Sequence, residues 1–318
     1  MYALPRTLLR ALVPAIAVAA LVSACSRQNP VAPITANDSY VLSRALEAGP
    51  LGQGAFFPLA IGNRWHAVSD DHIVTTPTGG GPPIDEMTIH TDITREMTGT
   101  ETISGLAYTL LRETLVSTSP ANPGGSTYTT WIRYRQDADG LYESDVTGPP
   151  ASSATVAAAS TRPSVAFPVS LRARVTAPQT AAYERAWEGL QRKIAAVRQA
   201  VADPLRVADV APGEIIRLDY PLHPGASWTV RDDPHFTSTV ERMERLDLPA
   251  GQFNAYRIRI GSEFFGPEDT VHLWMSRSGL LQFRYRLVSA VTDENGNVIG
   301  EFVGTHDEVV DAVSLVGR

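Results

Sequence analysis

Two nine-residue segments of this chain share the pattern aromatic-Pro-Leu-x-x-Gly-x-x-Trp, and this repetition constrains the fold more than any other feature. The segments are residues 57–65 and 220–228. Two further matches follow in the same order: residues 105–112 parallel residues 251–259, and Trp131 with Gly140 parallels Trp274 with Gly279. Three matches in one order predict an internal duplication. The alternative is convergent turn chemistry, because Pro and Gly are common where strands begin.

The segments inside each copy alternate apolar and polar residues. Residues 132–135, 256–260 and 281–287 all follow this pattern. Strict alternation predicts strands with one face on a core and the other in water. Residues 249–251 (Pro-Ala-Gly) predict a turn between two strands, and residues 295–296 (Asn-Gly) predict a type I′ hairpin.

One apolar stripe lies between the two copies. It consists of Tyr183, Trp187, Leu190, Ile194, Val197 and Val201, at spacings of 4, 3, 4, 3 and 4. This spacing predicts an amphipathic helix over about residues 180–203, capped by Thr180 and ended by Asp203 and Pro204. We expect the stripe to pack on the open face of a β-sheet. The alternatives are a lid over a cavity and a helix that docks on a partner.

The fold class predicted from these patterns is mainly β. Curved antiparallel sheets would come from two similar β units, with one amphipathic helix inserted between them. The predicted organisation is a signal peptide at 1–24, a lipidated tether at 25–50, β unit 1 at 51–146, an Ala/Ser/Pro-rich linker with the helix at 147–212, and β unit 2 at 213–318.

The N-terminal leader predicts export. Arg6 and Arg10 precede an apolar run at residues 11–22, which is the order of a secretory signal peptide and is too short to span a membrane. Residues 21–25 (Leu-Val-Ser-Ala-Cys) resemble the lipobox of bacterial lipoproteins. That resemblance implies cleavage before Cys25, attachment of diacylglycerol to its sulfur, and acylation of the new amino terminus by a palmitate-like chain. Ser26 implies sorting to the outer membrane, facing the periplasm. The alternative is an ordinary signal peptide with an incidental cysteine.

The net charge excludes some classes of partner. Loss of Arg6 and Arg10 with the leader lowers it from −7 to −9. A chain this acidic lacks the basic footprint that nucleic acid requires. The expected partners are therefore the membrane, through lipidated Cys25, and a lipid or a protein of the cell envelope.

Two clusters of acids and histidines are candidate metal ligands. Asp70, Asp71 and His72 follow Trp65, and Asp232, Asp233 and His235 follow Trp228 at matching positions. Carboxylates with imidazole can bind a divalent ion. The alternative is ordinary turn chemistry, which we prefer, so no metal or other cofactor is expected. Residues 306–308 (His-Asp-Glu) are interpreted as a solvated acidic end.

Arginines and tryptophans supply the remaining candidates. Arginines at positions 133, 135, 257, 259, 284 and 286 occupy the polar phase of predicted strands. They predict either a cationic stripe that meets phosphates of lipid or lipopolysaccharide, or a solvated sheet face paired with acids such as Glu301. The tryptophans are interpreted as core anchors or as the lining of an apolar pocket. They are Trp65, Trp131, Trp228 and Trp274 in the repeats and Trp187 in the helix.

The repeat motifs resemble those of a group of uncharacterised bacterial envelope lipoproteins. The relevant segments are residues 57–65, residues 248–257 (Leu-Pro-Ala-Gly-Gln-Phe-Asn-Ala-Tyr-Arg), and Trp274 with Gly279 and Leu280. More loosely, the architecture resembles the half-barrel lipid and lipoprotein carriers of the LolA/LppX type. The function expected from the sequence is that of a non-enzymatic envelope lipoprotein that binds an apolar or amphiphilic ligand, or a partner protein, at the membrane surface. The alternatives are a structural or assembly lipoprotein without a small ligand and, least favoured, a metal-assisted hydrolase.

Overall fold

The computed structural model describes residues 56–120, 122–144, 146, 148–150, 167–202, 214–232 and 235–316. The predicted signal peptide, Cys25 and the tether lie outside these residues, as do residues 151–166 of the predicted linker. The described strands are β1 (Arg64–Pro77), β2 (Asp85–Ile103), β3 (Leu106–Ser119), β4 (Asn122–Gln136), β5 (Gly140–Ser144), β6 (Glu214–Asp219), β7 (Ser227–Asp232), β8 (His235–Leu248), β9 (Gly251–Ser262), β10 (Thr270–Ser276), β11 (Gly279–Thr292) and β12 (Val298–Ser314). Two helices are described, α1 (Val169–Arg172) and α2 (Ala177–Ala202).

All the described strands belong to one antiparallel sheet. Its twelve strands run in the order β6-β5-β4-β3-β2-β1-β12-β11-β10-β9-β8-β7. Each half of the chain contributes a meander of six consecutive strands, and β1 pairs with β12 where the halves meet. The sheet is barrel-shaped and nearly closed, with β6 lying next to β7. The predicted mainly β, antiparallel class with one inserted amphipathic helix is confirmed, and both β units share a single sheet.

The glycines in the turns that precede β1 and β7 have similar backbone conformations. Gly62 and Gly225 adopt φ values of +93° and +89°, which favour glycine. The amide of Gly62 donates to the carbonyl of Met97 at 2.8 Å, and the amide of Gly225 donates to the carbonyl of Val240 at 2.8 Å. The glycines of the repeated aromatic-Pro-Leu-x-x-Gly-x-x-Trp motif therefore have the same role. Each allows a tight turn before the first strand of its meander to hydrogen-bond to the second strand.

Period-two alternation separates an inner from an outer face. On β1 the buried residues are Trp65, Ala67, Ser69, Asp71, Ile73 and Thr75. On β12 the inward residues are Phe302, Gly304, His306, Glu308 and Val310. Residues 70, 72, 284, 286 and 307 face outward. The inner face is mostly apolar and carries the core, because burying it removes apolar surface from water.

Helix α2 covers the inner face of β11 and β12. Its residues Leu190 and Ile194 lie over Gly304, and the Ser289 hydroxyl donates to the carbonyl of Ala186 at 2.8 Å. Trp187 packs edge-on against Phe302, with ring centroids 5.5 Å apart. The predicted stripe is therefore buried on a sheet face from Tyr183 to Val197, and the side chain of Val201 lies outside the described residues. No described helix is both long enough and apolar enough to cross a membrane.

Two local predictions differ from the structure. Helix α2 is capped by Thr176 rather than Thr180: the side chain of Gln179 accepts from the amide of Thr176 at 3.0 Å, as in a capping box. The β11–β12 hairpin is present, but five residues join the strands and only Gly296 of the predicted type I′ pair has a positive φ. Asp293 holds this longer loop by accepting from the amides of residues 295 and 297.

The boundary predicted at residue 213 does not separate the two halves of the sheet. Strand β6 follows the inserted helix in sequence, yet it pairs with β5, with Gly140 opposite Asp219 and Ser144 opposite Glu214. The helix is thus inserted within the first meander, between its fifth and sixth strands. The corresponding connection in the second meander is the short loop between β11 and β12.

Candidate functional site

The outer face of β9–β12 and β1 carries a groove of about 620 Å³. Cavities of this size are typical of sites for small ligands. The groove is lined by Asp70 and His72 of β1, Arg257 of β9, Thr270, His272 and Trp274 of β10, Arg284, Tyr285 and Arg286 of β11, and Thr305, His306 and Asp307 of β12. It contains three of the arginines and one of the tryptophans that the sequence analysis selected.

Each groove arginine has a carboxylate neighbour. Nε of Arg284 lies 2.7 Å from Asp307, and a terminal nitrogen of Arg286 lies 3.3 Å from Glu268. Nε of Arg257 lies 2.8 Å from Glu241. Arg284 and Arg286 nevertheless have half-exposed side chains, so their guanidinium groups remain accessible from the groove. The acids that pair with these arginines do not include Glu301, which accepts a hydrogen bond from the hydroxyl of Thr76 at 3.4 Å.

An aromatic and imidazole floor lies beneath the arginines. The guanidinium carbons of Arg257 and Arg284 lie 5.7 and 5.8 Å from the centroid of the Trp274 ring, within the range of cation–π attraction. Arg257 donates to Nε2 of His272 at 2.8 Å. Burial and the charge of Arg257 lower the pKa of His272, which is therefore neutral at pH 7. A neutral His272 accepts this hydrogen bond and adds no positive charge to the groove.

The other arginines of the predicted stripe lie elsewhere. Arg133 is buried and donates to Glu101 and to the carbonyls of Val146 and Gly148, while Arg135 pairs with Glu214 and Asp137. Arg259 is exposed and lies 3.6 Å from Glu241. The six arginines therefore do not form the single stripe that was one of the two alternatives, because β4 and β9–β11 are separated in the sheet order.

The two predicted Asp-Asp-His clusters do not form a metal site in the part of the chain that the structure describes. Asp70 pairs with His90 at 2.9 Å and His72 pairs with Glu86 at 2.7 Å, both on the outer surface. Asp232 and His235 are exposed at the β7–β8 turn, and Asp233 lies outside the described residues. No described group of three His, Cys, Asp or Glu side chains is placed to hold a metal ion.

Asp71 instead points inward and belongs to a buried cluster. Its Oδ1 accepts from the Tyr285 hydroxyl and from Nδ1 of His306, each at 2.9 Å, and its Oδ2 lies 3.6 Å from Nη2 of Arg198. Burial alone would raise the pKa of Asp71, but the hydrogen bonds and charges of these partners outweigh it and hold the pKa well below its usual range. The interpretation of residues 306–308 as a solvated acidic end is wrong: His306 and Glu308 are buried, and only Asp307 faces outward.

A second buried ion cluster lies beside the first. Arg95 is sandwiched between Glu113 at 2.8 Å and Glu308 at 2.5 Å. Burial would lower the pKa of Arg95, but the two carboxylates raise it above its ordinary value. Removing one member of such a cluster leaves a charge buried without compensation, which is strongly destabilising. Sequence alternation could have revealed both clusters, because it places Asp71, Arg95 and Glu113 in the inward phase.

The tryptophans occupy matched positions. Trp65 and Trp228, from the first strand of each half, are buried among inward residues, and Trp65 donates its indole N–H to the carbonyl of Ser278. Trp131 and Trp274, from the fourth strands, lie on the outer face; Trp274 is buried beneath arginines and Trp131 is partly exposed. Trp187 is buried between the helix and Phe302. Only Trp274 lines the groove.

Comparisons with known proteins add little to this site. No protein-family model matches the chain, and no curated protein sequence matches it. Among solved structures, the chain is similar to a proposed lipoprotein from Parabacteroides distasonis ATCC 8503, with a TM-score of 0.31 and 12% identity, over 83% of this chain and 100% of that one. It is also similar to a proposed exported protein with a YmcC-like fold from Bacteroides fragilis NCTC 9343, with a TM-score of 0.28 and 11% identity, over 81% of this chain and 98% of that one. Likeness at these TM-scores carries no inference about fold or function.

Proposed function

We propose that this chain is a lipid-anchored, non-enzymatic protein of the bacterial cell envelope that binds the anionic head group of an amphiphile in its outer groove. The observation that carries the proposal is the convergence of Arg257, Arg284 and Arg286 in one groove of about 620 Å³, where the first two lie over the ring of Trp274. The anchor rests on the lipobox-like residues 21–25, and Ser26 supports a place in the outer membrane, facing the periplasm.

The chemistry of the groove favours a phosphate-bearing head group. Guanidinium forks bind phosphate oxygens through paired hydrogen bonds, and a carboxylate neighbour can be exchanged for such an anion. The indole of Trp274 offers an apolar surface next to these charges, as interfacial ligands require. A tether at the membrane surface would bring the groove close to lipid head groups.

The same structure argues against an acyl chain inside the sheet. The apolar stripe of α2 occupies the inner face of β11 and β12, and its residues Leu190 and Val197 are fully buried. A carrier of whole lipids needs a wide apolar cavity under the helix, whereas Leu190 and Ile194 of α2 lie directly over Gly304 of β12. We therefore assign the groove to the head group, with the acyl chains remaining in the membrane.

Binding to anionic vesicles tests this proposal because the mature chain itself has a net charge of −9. The general attraction of an anionic membrane is absent, so affinity must come from a local site. The test uses residues 26–318, without the lipid, and vesicles of phosphatidylglycerol or phosphatidylcholine. We expect binding to phosphatidylglycerol alone, and weaker binding as salt shortens the Debye length from about 10 Å at 0.1 M to about 3 Å at 1 M.

A matched pair of double variants locates the site. Arg284→Gln with Arg286→Gln removes two groove charges, whereas Arg185→Gln with Arg192→Gln removes two exposed charges from α2. We expect the groove variant to bind at least about tenfold more weakly, because each lost charged hydrogen bond contributes about 1.5–3 kcal/mol. The helix variant should bind like the original chain. Equal losses in both variants would exclude the groove.

The second candidate is a structural or assembly lipoprotein without a small ligand. The observation that favours it is the pairing of Arg284 with Asp307, Arg286 with Glu268 and Arg257 with Glu241, which is what a solvated sheet face would show. Absence of vesicle binding by the original chain would make it the working function.

A further inference from the structure

A second cavity, of about 170 Å³, opens on the inner face of the sheet. The strand registers place its residues side by side: Asp71 is opposite Ile89, Thr91 is opposite Ser117, and Ser117 is opposite Ser126. Arg198 of α2 lines the facing side. We call this space the inner cleft. It lies on the opposite face from the outer groove, because neighbouring residues Asp70 and Asp71 point in opposite directions.

The lining of the inner cleft is unusual for the inside of a β-sheet. Inward positions of β11 and β12 carry large apolar residues that pack against α2, whereas inward positions of β2–β4 carry hydroxyl groups at the cleft. The hydroxyls of Thr91 and Ser117 hydrogen-bond to each other at 2.9 Å. Polar groups in a protein interior need hydrogen-bonding partners. The space beside these hydroxyl groups therefore suits a ligand that carries polar atoms.

The carboxylate of Asp71 forms the charged end of the inner cleft. The side chain is nine-tenths buried, and its Oδ1 is engaged by Tyr285 and His306. Its Oδ2 faces Nη2 of Arg198 across 3.6 Å, which is longer than a hydrogen bond. A hydroxyl group inserted here would donate to Oδ2 and accept from the guanidinium. Both partners are ionised, since hydrogen bonds and nearby charge hold the pKa of Asp71 well below its usual range.

The composition of the lining limits the class of ligand. The lining carries one carboxylate and one guanidinium, whose charges balance. A strongly charged ligand would therefore be repelled by the group that has the same sign of charge. An apolar ligand would displace water from Oδ2 of Asp71 and from the hydroxyls of Thr91 and Ser117 and would offer no hydrogen bonds in return. The side chains of Ile89 and Tyr128 supply apolar surface beside the hydroxyls. A volume of about 170 Å³ equals roughly five to six waters at about 30 Å³ each, enough for one small ring.

We propose that the inner cleft binds a small, neutral, polyhydroxylated ligand, namely a single sugar ring, with one ring hydroxyl bridging Asp71 and Arg198. Further hydroxyls would bond to the Thr91–Ser117 pair, and the ring face would lie on Tyr128. This site does not rest on the proposed function, because none of the residues that line the inner cleft also lines the outer groove.

The test uses the full mature chain with its anchor, purified in a detergent that carries no sugar. Saturation-transfer NMR is recorded with glucose, galactose, mannose and N-acetylglucosamine in turn. We expect at least one sugar to show saturation transfer to its ring protons. Absence of signal from all four sugars would overturn the proposal.

Variants then locate the site. Arg198→Gln should weaken binding of the responding sugar at least tenfold, whereas Arg192→Gln on the exposed side of the same helix should leave it unchanged. Because Arg198 is partly exposed, we expect the variant to remain folded; the combined Thr91→Val and Ser117→Ala variant provides a second, uncharged test with the same expected loss. Arg284→Gln should not alter sugar binding. Unchanged binding in both cleft variants, or loss in Arg284→Gln, would contradict the proposal.

Discussion

Shortening Leu190 should reveal how tightly α2 is packed into the sheet. Leu190 is fully buried, and its methyl carbons lie directly over Gly304 of β12. Leu190→Ala removes three carbons above a residue that has no side chain to fill the space. We therefore expect a loss of about 3 kcal/mol, within the range of about 2–5 kcal/mol for such changes. For a chain of this size that is a fall in melting temperature of about 6–12 °C.

Gly304→Ala provides the internal control for this packing. A Cβ on Gly304 would lie 3.4 Å from Cδ1 of Leu190, which is ordinary van der Waals contact, so we expect the single variant to change stability by less than about 1 kcal/mol. In the Leu190→Ala background the same methyl enters the vacated space. It should recover about 1 kcal/mol, the value of one buried methyl group.

Urea unfolding followed by tryptophan fluorescence measures this double-mutant cycle. If α2 packs on β12 as described, the double variant should lose less unfolding free energy than the two single variants lose in total. Additivity within about 0.3–0.5 kcal/mol would show that the two residues are not in contact, and would refute the placement of α2 on β12.

Two further stability predictions follow from the same inner face. Gly300→Ala should lower the free energy of unfolding in urea by about 1–3 kcal/mol, because its Cβ would lie 2.7 Å from the carbonyl oxygen of Thr76 and from the hydroxyl of Tyr183. A loss as small as that of Gly304→Ala would contradict this close packing around Gly300. The folded-state pKa of Asp71 is below its unfolded value, so Asp71 stabilises the fold above about pH 4 and this contribution is lost as the pH falls. Asp71→Asn should therefore flatten the fall in the free energy of unfolding between about pH 5 and pH 2, and an unchanged slope would exclude this role.

Much of the fold could be predicted from the sequence because alternation and repetition are local signals. Residues 281–287 alternate, and β11 follows that alternation; residues 249–251 predict a turn, and β8 ends at Leu248 while β9 begins at Gly251. The position of β6 could not be predicted in this way. Its pairing with β5 spans the inserted helix, and a long-range pairing leaves no local periodicity.

The site was only partly predictable. Alternation along β9 and β11 places Arg257, Arg284 and Arg286 on the outer face, but sheet order decides which of them become neighbours of Trp274. The sequence analysis groups residues 70–72 as one cluster. Side chains alternate along β1, however, so Asp71 lies on the opposite face of the sheet from its two neighbours. The inner cleft needs Arg198, which the helix supplies from a distant part of the sequence.

The most direct test of the central claim observes the indole N–H groups of the five tryptophans. ¹⁵N-labelled protein is titrated with short-chain phosphatidylglycerol below its micelle concentration. Because Trp274 lies beneath Arg257 and Arg284, the account predicts that its indole resonance shifts while those of partly exposed Trp131 and buried Trp187 stay in place. A titration that moves Trp131 or Trp187 and leaves Trp274 unchanged would contradict a head-group site in the outer groove.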